Sequence, residues 1–149
     1  MKNNKKGFTL IELLVVIAII GLLSTLSILA LNSARARARD AKRIADVKQI
    51  QTALEMFYND TGDYPTAAST TPGAAISSAN GTYMKAIPTP PTPHDGGCPA
   101  ANAYTYTYTA GTGGTGSAST YGIAYCLGAS INSIPAGAIQ TAGPSGMKQ

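Results

Sequence analysis

The stretch Lys5-Lys6-Gly7-Phe8-Thr9-Leu10-Ile11-Glu12-Leu13 opens an apolar run that continues to Leu31 and decides how this chain is built. Between positions 8 and 31 the only ionisable side chain is Glu12; the other polar side chains are Thr9, Ser24, Thr25 and Ser27. About 20 predominantly apolar residues suffice for a helix to cross a hydrocarbon core of about 30 Å. The run therefore predicts a membrane helix. Working outward, Lys2, Lys5 and Lys6 precede it, and Arg35, Arg37, Arg39, Lys42, Arg43 and Lys48 follow it, with Asp40 and Asp46 interspersed. Both flanks are basic, so the bias of cytoplasmic loops toward positive charge does not orient the span by itself.

An ordinary secretory signal also begins with positive charge, but its apolar part runs only 7–15 residues and ends at a small-residue cleavage site. Here the run is longer, and Asn32 and Arg35 stand where small or neutral residues are wanted. A cut after Gly7 instead removes the lysines and leaves the whole apolar helix on the mature chain.

Of 149 residues, 44% are hydrophobic and 12% charged, with 16 glycines, 9 prolines, 8 tyrosines and no tryptophan. With about 25 residues committed to the span, the remainder is a small, turn-rich head, and a core of that size usually needs a disulfide or assembly to stabilise it. This disfavours a large enzyme core. The lone histidine, His94, completes no Ser/His/Asp set, so no catalysis and no cofactor are expected. The net charge of +4 sits mainly beside the span; the cluster at 35–48 lacks interleaved base-reading groups and reads as headgroup contact or a solvated helix face rather than a nucleic-acid site.

From position 8 to 58 no proline occurs and only Gly21 interrupts the helix formers. Fifty residues at 1.5 Å each make a helix of about 75 Å, which must leave the membrane. Beyond 33 it becomes amphipathic, with Ile44, Val47, Ile50, Leu54, Phe57 and Tyr58 at three- and four-residue steps. That stripe calls for packing on the protein's own sheet, with a coiled-coil partner as the other possibility. Asn59-Asp60-Thr61-Gly62 ends the helix and Pro65 prevents its resumption. Positions 66–80 and the proline-rich 88–99 read as loops. The alternating Tyr104-Thr105-Tyr106-Thr107-Tyr108-Thr109 and the run 120–127, with Tyr121, Ile123, Tyr125 and Leu127 on one face, form a hairpin. Residues 83–87 are a candidate third strand. A ligand-binding use of the tyrosine face is the minority reading. The fold class is α+β: a long N-terminal helix, half membrane-embedded and half amphipathic, on a small antiparallel β-sheet head.

Gly7-Phe8-Thr9-Leu10-Ile11-Glu12, behind a short lysine-rich leader and ahead of a long apolar helix, resembles the cleavage and methylation motif of type IV pilins and of the pseudopilins of type II secretion. The stretch from Ala53 through Pro65, and Tyr83-Met84-Lys85-Ala86-Ile87-Pro88, look like the corresponding parts of major pseudopilins and short bacterial pilins. The resemblance implies a pilin-like fold divided into a leader (1–7), a transmembrane and assembly helix (8–31), the amphipathic half of that helix (32–60) and a β-rich head (61–149). It implies cleavage between Gly7 and Phe8 by prepilin peptidase on the cytoplasmic face and methylation of the new Phe8 amino group. It further implies a single-pass precursor with its N-terminus inside, and self-association into a helical filament with the inner-membrane assembly machinery. The filament is a type IV pilus or a related fibre; the alternatives are the major pseudopilin of a type II secretion system and an uncleaved single-span anchor presenting a binding head.

A carboxylate in a membrane helix costs roughly 2.5–3.5 kcal/mol and marks a partner or a function. Glu12 has two readings: a capping box with Thr9, or, as the family implies, pairing with the Phe8 ammonium of a neighbouring subunit. In the implied orientation Cys98 and Cys126 lie outside the membrane, where oxidation is expected, and they are assigned as a disulfide. A zinc site built from these cysteines with His94 and Asp95 is the minority reading. No metal is expected: the calcium site of major pseudopilins is poorly supplied here, because after Asp63 the only carboxylate side chain is Asp95.

Overall fold

The computed structural model describes residues 7–65, 72–93, 96–98, 107–110, 119–131 and 134–148. Its elements are one helix, α1 (Leu10–Thr61), and six strands, β1 (Ile76–Ser78), β2 (Gly81–Met84), β3 (Thr107–Ala110), β4 (Tyr121–Cys126), β5 (Ile139–Gly143) and β6 (Gly146–Lys148). The chain divides into two compact units, residues 1–35 and 36–149.

The first unit is the apolar part of α1. Its large side chains are all exposed, from Phe8 at 87% to Leu31 at 49%. The hydroxyls that interrupt the apolar sequence turn back on the helix: Ser24 donates to the Ile20 carbonyl at 2.7 Å, Thr25 to Leu22 and Ser27 to Leu23, each at 2.8 Å. Satisfied locally in this way, they add little polarity to the surface.

The second unit holds the hydrophobic core. Val47, Ile50, Ala53 and Leu54 of α1 are buried with Tyr121, Ile123, Tyr125, Leu127, Ala142, Tyr64, Ile76, Ile87 and Ile134. The expected stripe is therefore the face that α1 buries in its own head; Ile44 and Phe57 pack at its margin and Tyr58 is exposed. At the helix end the Gly62 amide donates to the Tyr58 carbonyl at 2.7 Å. Gly62 has φ +83°, a left-handed conformation that glycine adopts without a steric penalty.

The main sheet is an antiparallel meander in the order β3-β4-β5-β6. The hairpin read from the sequence is present: Thr107 pairs with Ala124 and Ala110 with Tyr121. On β4 every second side chain, Tyr121, Ile123 and Tyr125, is buried, and Leu127 beyond it is buried too. Positions 104–106 lie outside the described residues.

Two expectations need correction. Residues 83–87 do not extend the main sheet: 85–87 are not in a strand, and 83–84 end β2, which pairs with β1 in a separate two-stranded sheet with an irregular register at Ile76/Ser77. That places a strand at 76–78, within a stretch the sequence presents as loop: three residues with Ile76 as the only apolar one leave no period to read. Strands β5 and β6 were not visible in the sequence at all. On β5 the inward residues are Gln140 and Ala142 while Ile139 is 49% exposed, so the hydrophobic signal runs opposite to the burial.

Cys98 and Cys126 form a disulfide with a Cα–Cα distance of 5.8 Å. It ties the segment before β3 to the end of β4. Gly96 lies against the same place: a Cβ there would stand 2.5 Å from the Gly128 carbonyl oxygen, and its φ is +67°. No larger residue fits this approach without movement.

Candidate processing and assembly site

Residues 7–12 lead into α1. An added Cβ at Gly7 meets nothing within 4 Å, so the chain's own packing makes no demand for glycine here. Phe8 projects into solvent, and with Ile11, Glu12, Val15 and Val16 it lines a shallow apolar depression that contains one carboxylate.

Glu12 closes a capping box with Thr9. The Thr9 amide and hydroxyl both donate to Glu12 Oε2 at 2.8 Å, and the Glu12 amide donates to Thr9 Oγ1 at 3.3 Å. Two amide groups at the helix start are thereby satisfied. In the single chain Glu12 thus takes the first of its two readings. Both bonds fall on Oε2, and among the described residues Oε1 receives no hydrogen bond, so the box leaves one carboxylate oxygen for another donor.

The disulfide settles the fate of the cysteines as metal ligands: neither offers a thiolate. His94 and Asp95 lie outside the described residues, and no group of three metal-binding side chains occurs among the described ones. The ligand-face reading of the tyrosines also needs correction where it can be examined. Tyr121 and Tyr125 are buried. Glu55 accepts hydrogen bonds from Tyr64 at 3.0 Å and Tyr121 at 3.3 Å, and Tyr64 packs edge-on against Tyr121 and stacks on Tyr58. Burial, reinforced by the Glu55 carboxylate, pushes the Tyr121 hydroxyl above the ordinary tyrosine range. Burial does the same to Tyr125, whose hydroxyl has no hydrogen-bond partner among the described residues. Tyr104, Tyr106 and the side chain of Tyr108 lie outside the described part.

The basic cluster is not simply a solvated face. Arg43 is 2% exposed and Asp40 fully buried, and the two form an ion pair. Asp40 also accepts the Gly128 and Ala129 amides at 3.0 and 2.8 Å, while Arg43 donates to the Pro91 and Pro93 carbonyls at 3.0 and 3.3 Å. The pair therefore binds α1 to the loops at 91–93 and 128–129, close in sequence to the disulfide's two ends, Cys98 and Cys126. A sequence signal for it exists: Arg43 extends the buried series Val47, Ile50, Leu54 by one helical step, and Asp40 stands three residues before it, within side-chain reach.

The family model for the prokaryotic N-terminal methylation motif matches residues 2–28. The type II secretion system core protein G of Escherichia coli is 32% identical over 102 residues, covering 62% of this chain and 70% of the relative. The fimbrial protein of Neisseria meningitidis serogroup B is 36% identical over 88 residues, covering 58% of this chain and 51% of its own length. The type IV major pilin protein PilE of Neisseria gonorrhoeae is 34% identical over 87 residues, with 58% and 52% covered. No solved structure matches at a significant level.

Proposed function

Because this chain belongs to the family of type IV pilins and type II secretion pseudopilins, we propose that its first seven residues are a leader, cut between Gly7 and Phe8 by prepilin peptidase, and that the new Phe8 amino group is methylated. The protein is a structural subunit of a type IV pilus or related filament, made as a membrane-anchored precursor. Its work is assembly rather than bond chemistry. Residues 8–31 are held in the bilayer with the leader inside, and residues 32–60 continue the helix into the head at 61–149. On assembly the apolar helices leave lipid and pack on one another.

One observation carries this reading. An apolar surface exposed along its whole length holds a single carboxylate, Glu12, the fifth residue past the proposed cut. In lipid the Thr9 box shields that charge. Between packed helices a buried charge is tolerated only when paired, and the Phe8 ammonium of a neighbouring subunit, left by the cleavage, supplies the partner. Misregistered helices leave both charges uncompensated, so pairing selects the register.

Mass spectrometry of the mature subunit tests the processing: an N-terminus at methylated Phe8 is expected, and a retained Met1 to Gly7 leader establishes the uncleaved anchor instead. Glu12→Gln tests the pairing. It keeps the side chain's shape, so the variant inserts and is cleaved, but filaments fall at least tenfold by quantitative microscopy of sheared fibres; wild-type filament yield refutes the role. The secretion pseudopilus is the second reading, favoured by one observation: alignment covers 70% of the secretion core protein but about half of the two pilins. A secretion defect on deletion without long surface fibres selects it.

A further inference from the structure

The last turn of α1 is met by the tip of the β1–β2 hairpin. Ser78 and Gly81 are paired across the hairpin, so its loop is the two residues Ala79 and Asn80, both exposed. Asn80 Nδ2 donates at 3.3 Å to the carbonyl of Asp60, in the final turn of the helix, where carbonyls lack helical partners. The Tyr83 hydroxyl donates to Asp60 Oδ2 at 2.8 Å and lies 2.9 Å from Ser78 Oγ, which accepts the Asn80 amide at 3.1 Å. Deeper in the hairpin Ile76 is buried in the core, and Tyr83 packs edge-on against Phe57. The base of the hairpin is held by packing, and its tip by hydrogen bonds that converge on Asp60.

Asn80 is followed by Gly81, and this dipeptide carries its own chemistry. The Gly81 backbone nitrogen attacks Cγ of the Asn80 side chain and gives up its proton. The new C–N bond closes a five-membered succinimide as the Cγ–Nδ2 bond breaks and ammonia leaves. Water then opens the ring at either carbonyl, giving aspartate or, with the main chain rerouted through the side chain, isoaspartate. The balance is one water consumed and one ammonia released, with no oxidant or reductant. Asparagine is thermolabile in general, and a glycine after it reaches the ring geometry most freely because it has no Cβ. At this site the loop is exposed, and even an added Cβ on Gly81 meets nothing within 4 Å, so no neighbour crowds the ring. Gly81 closes the last pair of the ladder, where the local opening that frees its nitrogen is easiest.

We propose that Asn80 is a self-modifying site, converted to aspartate or isoaspartate with water as the only co-reactant, and that conversion releases the hairpin tip from α1. The product replaces an amide that donates to Asp60 with a carboxylate that cannot. It also sets a negative charge against Asp60, itself an acid at the negative end of the helix dipole. Isoaspartate further lengthens a two-residue loop by one backbone atom. The Ile76 and Phe57 contacts remain, so the head stays folded while its tip loosens with age.

The test ages the full chain, purified in detergent, in mildly alkaline buffer below the range in which tyrosine titrates. Peptide mass spectrometry follows the mass gain of amide becoming carboxylate, and labelling by isoaspartyl methyltransferase identifies the rearranged product. Asn80 converts roughly tenfold faster than exposed Asn59, whose successor carries a Cβ, and Gly81→Ala, for which there is room, removes that advantage. Hydrogen exchange over 78–84 in the converted protein is about two- to fivefold faster, the factor for one charge at a helix terminus, while β5 is unchanged. Asn80→Asp reproduces that change without ageing. Conversion of Asn80 no faster than that of Asn59, or unaffected by Gly81→Ala, overturns the modification site. Equal exchange over 78–84 in fresh and converted protein overturns the release of the tip, and acceleration that spreads to β5 overturns its confinement to the tip.

Discussion

The two stretches of α1 show two ways of satisfying a helix. Along 8–31 the surface is apolar, no side chain is buried by the rest of the chain, and the few polar groups bond to nearby groups of the same helix. Along 40–54 one face is buried in the head, and its contacts include charge: Asp40 and Arg43 bind four backbone groups of two loops. The first stretch takes its partner from outside, lipid or copies of itself. The second has its partner within the chain. A helix without internal partners can be transferred from one apolar surrounding to another, whereas one held by buried charge cannot be moved without unfolding the head.

The sharpest way to break this contrast is at Arg43. Arg43→Met leaves Asp40 buried without its cation, a change that costs about 3–5 kcal/mol in comparable sites; the exposed neighbour change Lys42→Met stays within about 0.5 kcal/mol. Thermal denaturation of both variants in detergent checks this, and equal losses erase the distinction. A smaller effect comes from repeating one substitution in each stretch. Leu54→Ala, at a fully buried position, lowers head stability by about 2–5 kcal/mol, while Leu14→Ala, 54% exposed, leaves it unchanged when followed by urea unfolding of the head.

The smallest effect concerns Tyr125. Its hydroxyl is buried without a partner among the described residues, so Tyr125→Phe is neutral or stabilising by up to about 1 kcal/mol near neutral pH. Burial raises the folded-state pKa of Tyr121 and Tyr125. Above the unfolded tyrosine value of about 10 the unfolded chain therefore releases these protons first. Their contribution to stability is complete below that pH and falls as pH rises toward the folded values. Tyr125→Phe shallows this alkaline loss in denaturant titrations across the range, and an unchanged slope shows that burial of Tyr125 does not contribute to it.

Much of the candidate site was legible because it is local. Thr9 and Glu12 are three residues apart, and a helix start brings them together whatever lies beyond. The buried stripe and the β4 alternation were legible for the same reason: period and apolar character coincide. Arg43 was misread because composition ranks arginine as exposed, whereas its burial is compensated by partners that include Asp40 and the Pro91 and Pro93 carbonyls. On β5 the inward Gln140 and outward Ile139 reverse the hydrophobic code, so no pattern announces the strand.

By itself the sequence determined the long helix, its apolar first half, the lone carboxylate at position 12 and the end at Gly62, since each depends on neighbours within one or two turns. Tertiary structure alone decided which charges turn inward, which strands join the main sheet and how the two loops close on α1. Those choices bring together residues as distant as Asp40 and Ala129, 89 positions apart, and Gln51 and Gly143, 92 apart, and no local period encodes a buried polar contact in which each partner offsets the other's desolvation cost.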